Sequence, residues 1–265
     1  MQQAYDYIAE ASDLADVLSN CTDQIFNLET QFKSWTINDI VGHLYMFDLA
    51  ALKALECPKI FQKFFAPIAN GMDNGLSLRE CQYRFLGSLT HRALFKRWKK
   101  ISHTLGQAYS NADPKQRVKW IGPEMSAMSS ITARQMEIWA HGQEIYDALG
   151  IIRPAKDRIR NICHLGVATF GWSFHNRGLI APQKQPYVRL KSPSGTVWEW
   201  NNPEAESWVV GDALAFAQVV TQVRSIDDIT LKVKGPAAQK WMSIAQCFAG
   251  APENPPKKGA RFVQN

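Results

Sequence analysis

Residues 134–150 read RQMEIWAHGQEIYDALG, and this stretch organises the first half of the chain. It lies in a helix predicted from about Ser129 to Leu149. Gly150 is placed to cap its C-terminus, and Pro154 follows soon after. Glu137 and His141 are four residues apart, so they project from one helical face about 40° apart. A carboxylate and an imidazole on adjacent turns are either a solvated surface pair or half of a metal site. The residues alone leave both readings open.

A partner stretch lies a hundred residues earlier. Residues 34–48 read SWTINDIVGHLYMFD. Thr36 followed three residues later by Asp39 approximates a capping box, and the helix it opens runs to about Glu56, where Cys57-Pro58 ends it. His43 stands in an otherwise apolar run, a poor place for an unpaired imidazole. It is either a core histidine satisfied by a carbonyl or a third ligand. If the two helices face each other, His43, Glu137 and His141 converge, and two histidines plus one carboxylate leave metal positions open for chemistry.

The rest of the first half supplies two more helices. Residues 2–19 carry Ile8, Ala11, Leu14, Ala15 and Leu18 at helical spacing with acids between. A third long helix is expected from Ser77 to Leu105, after an irregular connector at 66–77 broken by Pro67, Gly71 and Gly75. Four long helices with longish connections describe a four-helix bundle. The texture then changes. Residues 155–178 read as a further helix. Tyr187–Lys191 and Thr196–Trp200 alternate around a Pro193-Ser194-Gly195 turn, a hairpin signature. Short strands at 207–210 and 229–233 and helices at 212–223 and 237–249 complete a small α+β domain, and the tail after Pro252 reads as loose. The expected organisation is thus a bundle over 1–152 and an α+β C-terminal domain over 153–265.

With 265 residues, 46% apolar and 20% charged, the chain has the composition of a globular protein with real cores. The net charge of +6 is uneven. Residues 58–119 carry twelve bases against three acids, and residues 151–265 fifteen against eight. A basic surface suits anionic small molecules, and no Lys/Arg run interleaved with aromatics resembles a nucleic-acid module. Arg92, Lys96, Lys99, Lys100 and His103 share the third helix, as a solvated face or as an anion site. Five scattered cysteines without CxxC spacing argue against a disulfide framework and a cysteine-ligated zinc. Cys163 and Cys247 read as buried structural thiols. No leader and no apolar run long enough to span a bilayer is evident, which points to a cytoplasmic chain without membrane or nucleic-acid partners, as a monomer or homodimer.

The two quoted stretches resemble the ligand-bearing helices of the DinB-like metal-binding bundles, and within them the mycothiol-dependent maleylpyruvate isomerase branch, in an uncharacterised metal-binding subfamily. The resemblance implies that His43, Glu137 and His141 hold a divalent metal, with zinc as the usual ion and nickel or another as alternatives. It extends to GDALAFAQVVTQVR (211–224), similar to a C-terminal motif whose arginine helps hold the substrate's carboxylate. That gives Arg224 a catalytic role here, although Val223 replaces the glycine that precedes the arginine in the family. The family commonly has Asp three residues after the second histidine. This chain has Glu144, which can equally accept an imidazole N–H. The function implied is a metal-dependent enzyme using a low-molecular-weight thiol, an isomerase or S-transferase acting on a small, electrophilic, acidic substrate between the two domains. A hydrolase using metal-bound water and a non-enzymatic metal- or ligand-binding protein are the alternatives. Of the nine tryptophans, Trp35 and Trp139 flank the proposed ligands and are expected to prop their helices.

Overall fold

The computed structural model describes residues 1–122 and 124–264. They divide into two compact units, Met1–Ile145 and Tyr146–Asn265. The first contains α1 (Gln2–Ser19), α2 (Ile37–Glu56), α3 (Pro58–Asp73), α4 (Leu78–Leu86) and α5 (His91–Ser110). A two-stranded ribbon, β1 (Arg117–Val118) and β2 (Met125–Ser126), then leads into α6 (Ala127–Ala148), whose last turn belongs to the second unit.

The helical bundle forms as expected, with α5 packed on both α1 and α2. The bare backbone of Gly106 permits the α1–α5 approach, since a Cβ there would lie 2.2 Å from Ile8. At the start of α2 the capping box is complete. Thr36 Oγ1 accepts from the Asp39 amide at 3.1 Å, and the Asp39 carboxylate accepts from the Thr36 amide at 3.0 Å. Such a cap stabilises a helix by about 1 kcal/mol.

In the first unit two expectations need correction. The stretch 66–77 is mostly helix, because α3 carries Pro67 on an exposed face while Phe61, Phe65 and Ile68 turn inward at helical spacing. Pro58, which ends α2, also supplies the first-turn proline of α3, where a missing N–H costs nothing. The expected third helix is two helices. Gly87 takes φ +56 and closes α4, and a fresh start at His91 begins α5.

The second unit opens with α7 (Arg160–Ala168) and α8 (Phe170–His175), two helices where the sequence suggested one. Strands β3 (Tyr187–Lys191), β4 (Val197–Trp200) and β5 (Trp208–Asp212) follow, then α9 (Ala213–Val220), β6 (Leu231–Lys234) and α10 (Pro236–Ile244). The sheet order is β4-β3-β5-β6. The hairpin β3–β4 is antiparallel, β5 joins the other side of β3 in parallel, and β6 pairs antiparallel with β5. Val188, Leu190 and Val209 are fully buried on one face, towards which α9 packs. The tail is pinned rather than loose. Arg177 donates to the Glu253 carbonyl, Gln222 Nε2 donates to the same carbonyl at 2.9 Å, and the Gln264 amide donates to the Asp147 carbonyl at 2.9 Å.

Candidate metal centre

The capping box fixes the register of α2 and so turns His43 towards α6. Its Nε2 lies 3.4 Å from Glu137 Oε2, and His141 Nε2 lies 3.3 Å from the same oxygen. The three ligand atoms fall within 4.8 Å of one another, and this is the metal-competent cluster among the described residues. The two nitrogen–oxygen spacings are compatible with ligation of one ion. Ligands about 2.1 Å from a tetrahedral ion sit roughly 3.4 Å apart. The donor set fits a divalent metal: two imidazole nitrogens and one carboxylate oxygen, facing one another and shielded from solvent. Side-chain exposures are 9% for His43, 23% for Glu137 and 12% for His141.

Burial pushes the His43 imidazole down to about 4, against the pull of Glu137. It is therefore neutral at pH 7, the form that ligates. Burial alone would raise Glu137, but hydrogen bonds and charge from His141 and His43 outweigh it and hold the carboxyl well below its usual range. An ionised carboxylate beside the neutral His43 imidazole attracts a dication.

The same shifts fix a pH dependence for the metal-free protein. The unfolded His43 takes up a proton near pH 6.5, while the folded one resists until about pH 4. Folding stability is therefore full above pH 6.5 and declines as pH falls through that window. The decline is by up to about 3 kcal/mol at roughly 1.4 kcal/mol per unit. Loss of the Glu137 contribution at lower pH acts in the same direction. Urea midpoints of metal-free protein measured from pH 7.5 to 4.5 check this, and a flat profile contradicts it.

Aromatic rings wall the cluster. Trp35 lies parallel to the His141 ring at 6.1 Å and edge-on to His43 at 5.6 Å. Phe32 meets His141 edge-on at 5.2 Å, and Phe47 lies 4.6 Å from His43. The loop carrying Phe32 and Trp35 is wound tightly. Lys33 and Ser34 take φ +52 and +53, and the Trp35 carbonyl accepts from both the Thr30 amide and hydroxyl at 2.8 Å. Two consecutive left-handed non-glycine residues cost on the order of 1 kcal/mol each. That cost is met by placing both rings on the ligand imidazoles. Trp35 is therefore a prop as anticipated, and Trp139 is a core residue, 2% exposed.

A buried ion pair lies behind the ligands. Arg134 Nε donates to Asp48 Oδ1 at 3.0 Å, and Trp98 Nε1 donates to Asp48 Oδ2 at 3.1 Å. Arg134 and Asp48 are 3% and 0% exposed. Burial pushes Asp48 up against the pull of Arg134, while Arg134 stays charged. The guanidinium also lies 5.8 Å from the Phe47 ring, which itself touches His43. Asp48 thus serves the core ion pair. Arg134 was missed, although an arginine one turn before Glu137 is a signal of sorts.

The other sequence candidates sort as follows. Arg224 lies in the second unit, 8% exposed, with its guanidinium 2.7 Å from each Asp147 carboxylate oxygen. Glu144 is buried at 2% exposure. On α5, Arg92 donates to the Leu18 and Cys21 carbonyls and to Asp23, tying down the end of α1, while Lys96, Lys99, Lys100 and His103 are exposed. His164 Nδ1 accepts from Trp200 at 3.2 Å, a packing role. Cys163 is buried and its thiol is pushed up, as suits an inert core residue.

With this geometry in hand, comparison with known proteins is decisive on family. The family described as mycothiol maleylpyruvate isomerase N-terminal domain matches residues 8–146. The chain belongs to the mycothiol-dependent maleylpyruvate isomerase family. Two uncharacterised proteins of Mycobacterium tuberculosis, from strains Oshkosh and H37Rv, are each 34% identical over 247 residues, 93% of this chain and 95% of theirs. Crystal structures of the mycothiol-dependent maleylpyruvate isomerase and of a mutant of it share the fold. Each has a TM-score of 0.58 at 15% identity, covering 89% of this chain and 95% of theirs. Among the described residues, no helix is long and apolar enough to cross a membrane.

Proposed function

We propose that this protein is a divalent-metal-dependent enzyme that uses a low-molecular-weight thiol to isomerise or conjugate a small, electrophilic, acidic substrate. The observation that carries the reading is the His43–Glu137–His141 cluster, in which the His43 and His141 nitrogens lie 3.4 and 3.3 Å from one Glu137 oxygen, close to the edge length of a tetrahedral ligand shell. When bound, a divalent ion, zinc or nickel, supplies Lewis acidity that lowers the pKa of a cofactor thiol and favours its nucleophilic form.

The chain's own residues do the rest. Glu137 brings the one negative charge of the ligand set. His43, kept neutral by burial, offers a lone pair without needing to lose a proton first. Trp35, Phe32 and Phe47 exclude water, so a developing charge is felt more strongly than it would be in bulk solvent. In the second unit, the family resemblance assigns Arg224 to the substrate carboxylate. Asp147 now holds its guanidinium fork, so that role requires a substrate carboxylate to take Asp147's place.

Cobalt substitution tests the thiol directly. Adding mycothiol, or a simpler cysteine thiol, to the cobalt protein should produce a sulfur-to-metal charge-transfer band. Turnover with no such band at saturating thiol favours metal-activated water and hydrolysis instead. The same assay on Arg224→Lys reads the carboxylate role. A raised KM with an intact band supports it, and unchanged kinetics remove it.

A further inference from the structure

The sheet of the second unit has one covered face and one open face, and the pairing register places the open side chains in rows. In one row Glu199, Arg189, Val210 and Lys232 lie side by side across β4, β3, β5 and β6. In the next, two residues along, Val197, Lys191 and Asp212 do the same. Arg189, Lys191, Lys232, Val197 and Asp212 are all exposed. Between these rows sits a cavity of about 290 Å³. Its walls are the cations Arg189, Lys191 and Lys232, with Val197 and Val210 as apolar floor and Asp212 as the one carboxylate in the lining.

The charges in this cavity are largely unspent. Glu199 lies 3.6 Å from Arg189 and accepts from the Tyr187 hydroxyl. Lys191 and Lys232 have no ion-pair partner among the described residues. Strands are about 4.8 Å apart, so Arg189 and Lys232 rise from backbones roughly 10 Å apart, one on each side of Val210. Side chains of that length can bend together over one anionic group while its apolar body rests on Val210 between them. The volume is at the lower end for small-molecule sites, the size of a single-ring ligand.

We propose that this open sheet face is a binding site for a small organic anion, a carboxylate or phosphate monoester carried on a flat apolar body. The site is built from residues that take no part in the metal centre. Its cations differ from Arg224 in being solvent-accessible, and Lys191 and Lys232 have no ion-pair partner among the described residues, although Asp212 stands beside Lys191 in the register. Lys191 and Lys232 give the charge, Arg189 a planar fork, and the apolar Val210 between Arg189 and Lys232 a preference for ring-bearing anions over inorganic ones.

Titration of the ¹⁵N-labelled full chain tests the proposal, with phenyl phosphate, benzoate and neutral benzyl alcohol as probes. At least one of the two anions should give saturable shifts on the outer residues of β3, β5 and β6, and the tighter one names the head group. Lys191→Glu and Lys232→Glu should each weaken it roughly tenfold or more, corresponding to about 1.4 kcal/mol. His141→Ala should leave the affinity unchanged, which separates this site from the metal centre. The proposal is overturned if benzyl alcohol binds as well as the anions, or if the charge reversals change nothing. It also fails if His141→Ala abolishes the shifts, or if only a single-stranded oligothymidylate binds.

Discussion

If His43, Glu137 and His141 hold the divalent metal proposed for them, replacing His141 with alanine should strip it. A zinc-finger-type site gains on the order of 10–16 kcal/mol from four ligands, or about 3–4 kcal/mol per ligand. Removing one of three protein ligands should therefore weaken binding by roughly 10²–10³-fold. The fold should survive, because alanine favours helix and the His141 side chain lies at the partly open edge of the cluster, 12% exposed. Metal content after purification, with competition against a chromophoric chelator, reads the effect, and circular dichroism confirms the helices. Full metal stoichiometry in the variant at unchanged affinity would remove His141 from the ligand set. Glu137→Gln makes a sharper companion, since it keeps the shape and deletes only the charge. It should weaken the metal without the packing change.

The second large effect concerns stability. Asp48→Ala leaves the buried Arg134 guanidinium without its paired carboxylate, with only the more distant Glu137 charge to offset it, and Trp98 Nε1 without its acceptor. Breaking a buried pair on one side costs about 3–5 kcal/mol. That is a large share of the roughly 5–15 kcal/mol that holds a domain folded. At about 2–4 °C per kcal/mol, the melting temperature should fall by roughly 6–20 °C. The double variant Asp48→Ala with Arg134→Met should recover much of the loss, because an apolar pair of similar volume removes the desolvation penalty. A single-variant loss below about 1 kcal/mol would show that water reaches the pair and screens it. Because Arg134 sits against Phe47, and Phe47 against His43, the single variant should also loosen the metal ligands, measurable as faster metal release.

How far the sequence carried the reading can be judged element by element. The capping box at Thr36 and the Glu137–His141 spacing are local patterns, and both appear as written. The convergence of His43 on them needed only two helices facing each other. The β3–β4 hairpin was legible from alternation around Pro193-Ser194-Gly195, and its register follows. Helix α3 was hidden because Pro67 and Gly71 read as breakers. A proline on an exposed helix face is tolerated when Phe61, Phe65 and Ile68 anchor the buried side. The break at Gly87 was hidden for the opposite reason, since a single glycine in a helical pattern is weak evidence. The Asp48–Arg134 pair joins residues 86 apart in sequence, beyond any local pattern. The parallel pairing of β5 with β3 is equally non-local. The pinned tail was missed because its anchors, Arg177 and Gln222, lie far upstream.

The rows of lysine on the sheet have a consequence for how molecules of this protein meet one another. Strand β6 ends the sheet on one side and β4 on the other, so each presents unpaired backbone groups along an edge. The open face beside them carries Val197, Val210, Tyr187 and Trp208, the composition of a surface that invites a second strand. Lys232 and Lys234 project at alternate positions along β6, and charge at that spacing makes strand-to-strand association between copies costly. Lys232, one of the ammonium groups that would greet an anionic ligand, thus also works against edge-to-edge pairing of neighbouring molecules in concentrated solution.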